Sequence, residues 1–211
     1  TSRGLGDVYK RQDHYTYAIQ TLSIIFVCTI LCTLIGIPIG ILMSKKDSAQ
    51  RIITPVLDML QTLPTFVYLI PLIFLFKITE AKLYGLAIMF YSIVPVIRLT
   101  NLGIRLVDKN LIEAADAYGM SPRQKLINVE IPLALPNIMA GVNQTIMMSL
   151  AMVVIASLVS APGLGTLVLD GINNLRLGVG FVAGFGIVVL AVILDRISKT
   201  ALARIDESRE I

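Results

Sequence analysis

Charged residues fall in clusters along this chain, and long uncharged stretches lie between the clusters. Tyr15 to Ser44 is uncharged for 30 residues, Met59 to Phe76 for 18, Leu83 to Ile97 for 15, Asn137 to Leu169 for 33 and Leu177 to Leu194 for 18. A helix needs about 20 apolar residues to cross a hydrocarbon core about 30 Å thick. The pattern therefore predicts five transmembrane helices, over about 15–44, 57–77, 83–102, 137–160 and 177–196. Arg98 can snorkel to the interface, which lets the third span run on to about Leu102. The "SAPGLG" stretch predicts the end of the fourth span near Ser160. The first apolar run is too long for a signal peptide and lacks an A-x-A-like cleavage site.

Residues 1–12, "TSRGLGDVYKRQ", show no apolar periodicity and read as a non-native or disordered leader outside the fold. The transmembrane domain is placed at 13–205, with a cytosolic tail at 206–211.

Between the third and fourth spans, residues 103–136 are polar and carry helix punctuation. Asp108 or Asn110 can cap a short helix through "LIEAADAY", and Gly119 suits the left-handed position just past its end. Ser121 is followed by Pro122 and by Gln124 three residues on, which is a capping box with proline at the first helical position. A second short helix is expected from Pro122 to about Val129, ended by Pro132.

Composition agrees with the spans. The chain is 55% hydrophobic and 15% charged, against about 45–50% and about 25% for soluble domains. The net charge of +4 does not point to nucleic acid, because the basic residues are scattered among apolar runs and fit a bilayer surface. Of the 18 lysines and arginines, 12 fall on the side holding Lys45, Arg98, Lys125 and Arg196, and six on the side holding Lys77 and Arg176. The positive-inside rule then puts the N-terminus outside and the C-terminus and residues 103–136 in the cytosol. Cys28 and Cys32 sit four apart in one apolar run, which fits neither a disulfide framework nor a metal pattern. The single histidine, His14, has no acid–base or metal partners in the pattern, and no catalytic, metal or cofactor site is expected.

The spacing in the polar segment is E-A-A, three residues, G, nine residues, then V-E-I-P. It resembles the EAA motif of type I importer permeases of the ATP-binding cassette transporters, with Glu113, Ala114, Ala115, Gly119 and Pro132 in the matching places. "LQTLPTFVYLIPLIFLF", "VPVIRLTNLGIR", "PNIMAGVNQTIMMSLAMVVIASLV" and "GIVVLAVILDRI" resemble the osmoprotectant branch of that family. The resemblance implies an all-α integral membrane permease core of five helices with a cytosolic coupling helix pair. It implies a separate ATPase subunit docking at Glu113, Ala114, Ala115, Gly119 and Pro132, an extracytoplasmic binding protein, a second permease chain forming a homodimer, and a place in the bacterial plasma membrane. The implied solutes are glycine betaine, proline betaine and choline. Some members carry further N-terminal helices that have no counterpart in these residues. A permease for another small solute such as an amino acid is the alternative. A self-sufficient secondary transporter is a further one, although the coupling charges or repeats it needs are not visible. No Walker A pattern occurs in the 211 residues, so they offer no phosphate cradle of that kind.

The pathway is less legible. Gln61, Thr62, Asn143, Gln144, Thr145 and Ser149 lie in or beside spans, where they bridge neighbouring helices or line a path. Asp58 near a span end suits an interfacial or loop-pairing role. Gly36 and Gly40 form a G-x-x-x-G close-packing face. Pro38, Pro64, Pro71 and Pro95 can kink or interrupt spans. Tyr68 and Tyr91 fit apolar packing, or cation–π contact with a quaternary ammonium. Residues 160–178 read as an interhelical loop, or as an external gate or docking surface with a short amphipathic helix over Thr166–Ile172.

Overall fold

The computed structural model describes residues 2–65, 67, 81–157 and 163–207. The described residues are almost wholly helical. They form α1 (Ser2–Lys45), α2 (Asp47–Thr62), α3 (Ala81–Arg105), α4 (Lys109–Ala117) and α5 (Pro122–Lys125). A π-helical turn (Leu126–Glu130) leads into α6 (Ile131–Ser157), followed by α7 (Leu164–Asn173) and α8 (Leu177–Glu207). Among the described residues, four helical stretches are long and apolar enough to cross a membrane: Tyr15–Lys45, Tyr84–Arg105, Pro122–Ala156 and Leu177–Thr200. The chain is a multi-pass membrane protein.

Most of the expected 57–77 span, with Tyr68 and Pro71, lies outside the described residues. Its first residues belong to α2, which is amphipathic and ends at Thr62, with Leu63 extended at φ −66°, ψ 131°. Pro64 accounts for that ending, because proline drives the preceding residue out of the α region. A 16-residue helix is only about 24 Å long.

Helix α1 begins at Ser2 and the last helix runs on to Glu207, across the expected bounds at 13 and 205. One expectation is corrected. Pro132 does not end the helix that starts at Pro122. The backbone passes through one π-turn, in which the Ile131 amide donates to the Leu126 carbonyl five residues back, and continues as α6. A proline in an α-helix lacks a donor and clashes with the carbonyl four residues back. The wider turn just ahead of Pro132 gives that carbonyl room.

Helices α1, α3 and α6 pack as the core, with α8 laid along α6 and α7. A buried stripe begins at Glu130 in the π-turn and runs along α6 through Ala134, Ile138, Gly141, Thr145, Ser149, Met152 and Ala156, repeating at three and four residues as one helix face must. One apolar cluster joins Ile25 and Cys28 of α1, Ala87 and Ile88 of α3, and Met152 and Val153 of α6. Both cysteines are free and buried.

Glycine sets the spacing. A Cβ at Gly36 would lie 2.4 Å from Val96 Cγ1, one at Gly40 2.8 Å from the Ile97 carbonyl oxygen, and one at Gly141 3.0 Å from Val96 Cα. In lipid, helices gain by contact and not by expelling water, so small residues that admit a neighbouring backbone hold them together. The G-x-x-x-G face thus packs on α3. Pro38 and Pro95 lie inside continuous helices. The outward side of α8 carries Phe181, Phe185, Val192 and Ile197, all exposed from this chain.

Candidate functional site

The segment between α3 and α6 is built from its own punctuation. Asp108 caps α4, its carboxylate accepting from the Asn110 amide at 2.9 Å. The helix closes in a Schellman turn: the Met120 amide donates to the Ala115 carbonyl at 3.1 Å and the Gly119 amide to the Asp116 carbonyl at 2.9 Å. Gly119 stands at φ 72°, the left-handed region that favours glycine. Ser121 then caps α5: its hydroxyl accepts from the Gln124 amide at 3.4 Å while Gln124 Oε1 accepts from the Ser121 amide at 2.9 Å. Pro122 occupies the first helical position. An ion pair from Lys125 to Asp116, at 2.6 Å, ties the two helices.

The pair opens a groove of about 490 Å³ whose lining includes Ala114, Ala115, Tyr118, Val129 and Pro132. Its lining is mostly apolar. Tyr118 is 85% exposed and Ile127 61%, in a segment that sequence polarity alone would assign to solvent. Of the five expected coupling residues, Ala114, Ala115 and Pro132 share this groove. Glu113 is exposed on α4, and Gly119 makes the turn.

Of the six polar residues expected to bridge helices or line a path, Thr145 is fully buried on the α6 stripe, and the other five differ in exposure. Gln61 and Thr62 are exposed at the end of α2, where the Thr62 hydroxyl donates to the Met59 carbonyl at 3.2 Å. Asn143 accepts from the Ser198 hydroxyl and so bridges α6 to α8. Gln144 is exposed, while Ser149 is fully buried on the α6 stripe.

Charge pairs surround the end of the bundle next to the capped segment, and they include residues that sequence reasoning missed. Glu130, with a side chain only 3% exposed, pairs with Lys45 at the end of α1. Its one sequence signal is that it heads the small and apolar α6 stripe. Arg105 donates to Asp47 at 2.7 Å, to the Met43 carbonyl at 2.9 Å and to Asn101 at 3.2 Å. It thereby fastens the end of α3 to the α1–α2 joint. That hydrogen bond, and then the Arg105 charge, hold the Asp47 carboxyl below its ordinary value. Asp58 pairs with Arg98.

On the opposite side, Thr21 of α1 accepts from the Leu164 amide at the start of α7, at 3.0 Å. The described residues contain no group of three or more histidine, cysteine or acidic side chains placed to hold a metal.

Comparison with known proteins places this arrangement. The family model described as "Binding-protein-dependent transport system inner membrane component" matches residues 33–206. The Escherichia coli glycine betaine/proline betaine transport system permease protein ProW is 47% identical over 195 residues, covering 92% of this chain and 54% of that protein. The Bacillus subtilis glycine betaine transport system permease protein OpuAB is 46% identical over 181 residues, covering 86% of this chain and 64% of that protein. The chain thus spans little more than half the length of the first of these relatives. Among solved structures, an inward-facing MetNI methionine ABC transporter superposes with a TM-score of 0.81 at 18% identity, covering 91% of this chain and 95% of that one. At that identity the likeness speaks for the fold.

Proposed function

This chain belongs to the binding-protein-dependent transport system inner membrane component family, and on that premise we propose that it is the permease subunit of an ATP-driven importer for betaine-type osmolytes. The capped helix pair carries the reading. It offers a mostly apolar groove with Ala114, Ala115 and Pro132 along it, and an exposed Glu113 next to Ala114 in the sequence. Small residues admit a partner's backbone, and a neighbouring carboxylate gives that partner a charge to pair with. The partner is an ATPase subunit, a reading that rests on the family to which the chain belongs.

The rest of the assembly follows from the same premise. The excess of lysine and arginine on one side supports a cytosolic capped pair and C-terminus, with the N-terminus outside. The apolar outward faces meet lipid and a second permease chain. Residues 163–178 face an extracytoplasmic binding protein. Gln61, Thr62 and Gln144, exposed from the single chain, are the polar residues available to a path between two chains, while Asn143 and Ser149 serve packing between helices. Names of the relatives such as ProW and OpuAB support glycine betaine or proline betaine as the solute.

Reconstitution of the chain with candidate ATPase and binding-protein partners tests the reading, with uptake of glycine betaine, choline, proline and an amino-acid control measured with and without ATP. Glycine betaine uptake should require ATP and the ATPase. Glu113→Arg and Gly119→Leu should each lower it about tenfold or more. Uptake without any ATPase, or full transport and ATPase co-purification in both variants, would overturn the assignment.

A further inference from the structure

Two contacts outside the residues assigned so far lie on one helix. At one end of α1, Lys45 pairs with Glu130 in the π-turn that joins the capped pair to α6. About midway along it Thr21, only 1% exposed, meets the start of α7. The first amides of a helix have no partner within it, and a polar side chain at the N-cap ordinarily supplies one. Here the N-cap is Gly163, which has no side chain. Thr21, 143 positions away, supplies the acceptor for the Leu164 amide, and its own hydroxyl donates to the Tyr17 carbonyl at 3.0 Å. The contact is also tight: a Cβ at Gly163 would lie 2.6 Å from Thr21 Oγ1.

Between these two contacts α1 is continuous. Thr21 to Lys45 rises about 36 Å at 1.5 Å per residue, enough to span the hydrocarbon core. Gly36 and Gly40 hold the helix against α3 at backbone distance, so it cannot bend away freely. A carboxylate as buried as Glu130 resists separation from the Lys45 cation, because parting them strands a charge in a medium of low dielectric. Displacement of the π-turn is therefore passed to Lys45 rather than absorbed there.

We propose that α1 is a rod carrying movement of the capped pair to α7 on the opposite side, with the Glu130–Lys45 ion pair as its inner pin and the Thr21–Leu164 hydrogen bond as its outer pin. The proposal rests on the reading of residues 103–136 as the segment that an ATPase drives. Glu130, Lys45 and Thr21 are positioning residues, since each acts through the helix it holds.

The test uses the full chain reconstituted with its ATPase and binding protein, and reads glycine betaine moved per ATP hydrolysed. Thr21→Val keeps the shape and removes the acceptor, whereas Thr21→Ser keeps the acceptor. Glu130→Gln removes the charge, and the exchange Lys45→Glu with Glu130→Lys restores a pair of reversed sign. Thr21→Val and Glu130→Gln should each lower the ratio about fivefold while the ATPase still co-purifies. Together they should lower it no further than the worse single variant, since both break one path. Thr21→Ser and the charge exchange should stay within about twofold of wild type.

An unchanged ratio in Thr21→Val and Glu130→Gln overturns the rod, as does an independent, multiplying loss in the double variant. If Glu130→Gln fails to assemble, the contrast between Thr21→Val and Thr21→Ser decides alone. If the wild-type chain shows no ATP-dependent uptake, or needs no ATPase, the permease reading fails instead, whatever the variants do.

Discussion

The capped pair at 109–125 and the bundle of α1, α3 and α6 are held together by opposite means. In the pair, each contact is polar and local: Asp108 to Asn110, Ser121 to Gln124, Lys125 to Asp116 nine residues away. In the bundle the decisive contacts are apolar and distant, with Gly36 and Gly40 against Val96 and Thr100. The difference follows from the surroundings. Short helices have few backbone bonds of their own and need caps to satisfy their ends. Helices in lipid satisfy their own backbone and gain only by approaching one another closely. Glu130–Lys45 sits at the seam, a polar contact that is buried like a core residue.

The seam should be the most sensitive place. Lys45→Met leaves the Glu130 carboxylate buried without its cation, and such losses run to about 3–5 kcal/mol. The Lys45 side chain is 38% exposed, so water reaches the site and the lower end, about 3 kcal/mol, is expected. Thermal unfolding of the purified chain in detergent reads it. Lys45→Met combined with Glu130→Met should recover most of the loss, because no stranded charge is left. Equal losses in the single and the double variant would mean that the pair is held by surrounding packing and not by charge.

Next in size is the bundle contact. Gly40→Ala brings a Cβ to 2.6 Å from Thr100 Cβ and 2.8 Å from the Ile97 carbonyl oxygen, neither of which is the free end of a flexible chain. Overpacking of this kind costs about 1–3 kcal/mol. Gly184→Ala in α8 meets nothing within 4 Å, and should be neutral or stabilising by up to about 1 kcal/mol from helix propensity. Equal unfolding temperatures for the two variants would show that glycine spacing is not what sets the bundle.

The caps come third. Ser121→Ala removes one acceptor at an exposed helix end, a loss of about 1 kcal/mol. The loss should stay local: amide exchange over residues 123–125 quickens while the unfolding temperature of the bundle barely moves. A large global shift would mean that the pair and the bundle unfold as one unit.

This contrast also explains what the sequence disclosed. Caps act over two or three positions, so Asp108, Gly119, Ser121, Pro122 and Gln124 could each be given a role from their neighbours alone. The G-x-x-x-G face could be read, but its partner could not, because Val96 lies 60 positions from Gly36. The π-turn was invisible: nothing in "LINVEIP" marks a five-residue turn, and Pro132 by itself argues for a helix end. The burial of Glu130 depends on Lys45, 85 positions away, and an acid beside a coupling motif reads as solvated until that cation is brought in. The path residues were hard to read for a related reason: polar side chains in a span serve packing as readily as passage.

The smallest expected effect is a change with pH at the α1–α2 joint. Asp47 is 75% exposed yet bonded to Arg105 at 2.7 Å, and its carboxyl is lowered from an ordinary value of 3.8, chiefly by that hydrogen bond and then by the Arg105 charge. A carboxyl lowered in the folded state favours folding when ionised. Its contribution is complete above the unfolded value and is lost as pH falls through 3.8 toward the lower folded value. The difference in unfolding temperature between wild type and Asp47→Asn should be small at neutral pH and shrink further below about pH 4. Added salt should reduce it as well, because an exposed pair is screened. The Lys45→Met loss should resist the same salt better, since the Glu130 side chain is only 3% exposed. If salt erased both differences equally, the seam would behave as a surface contact and its burial would carry no energetic weight.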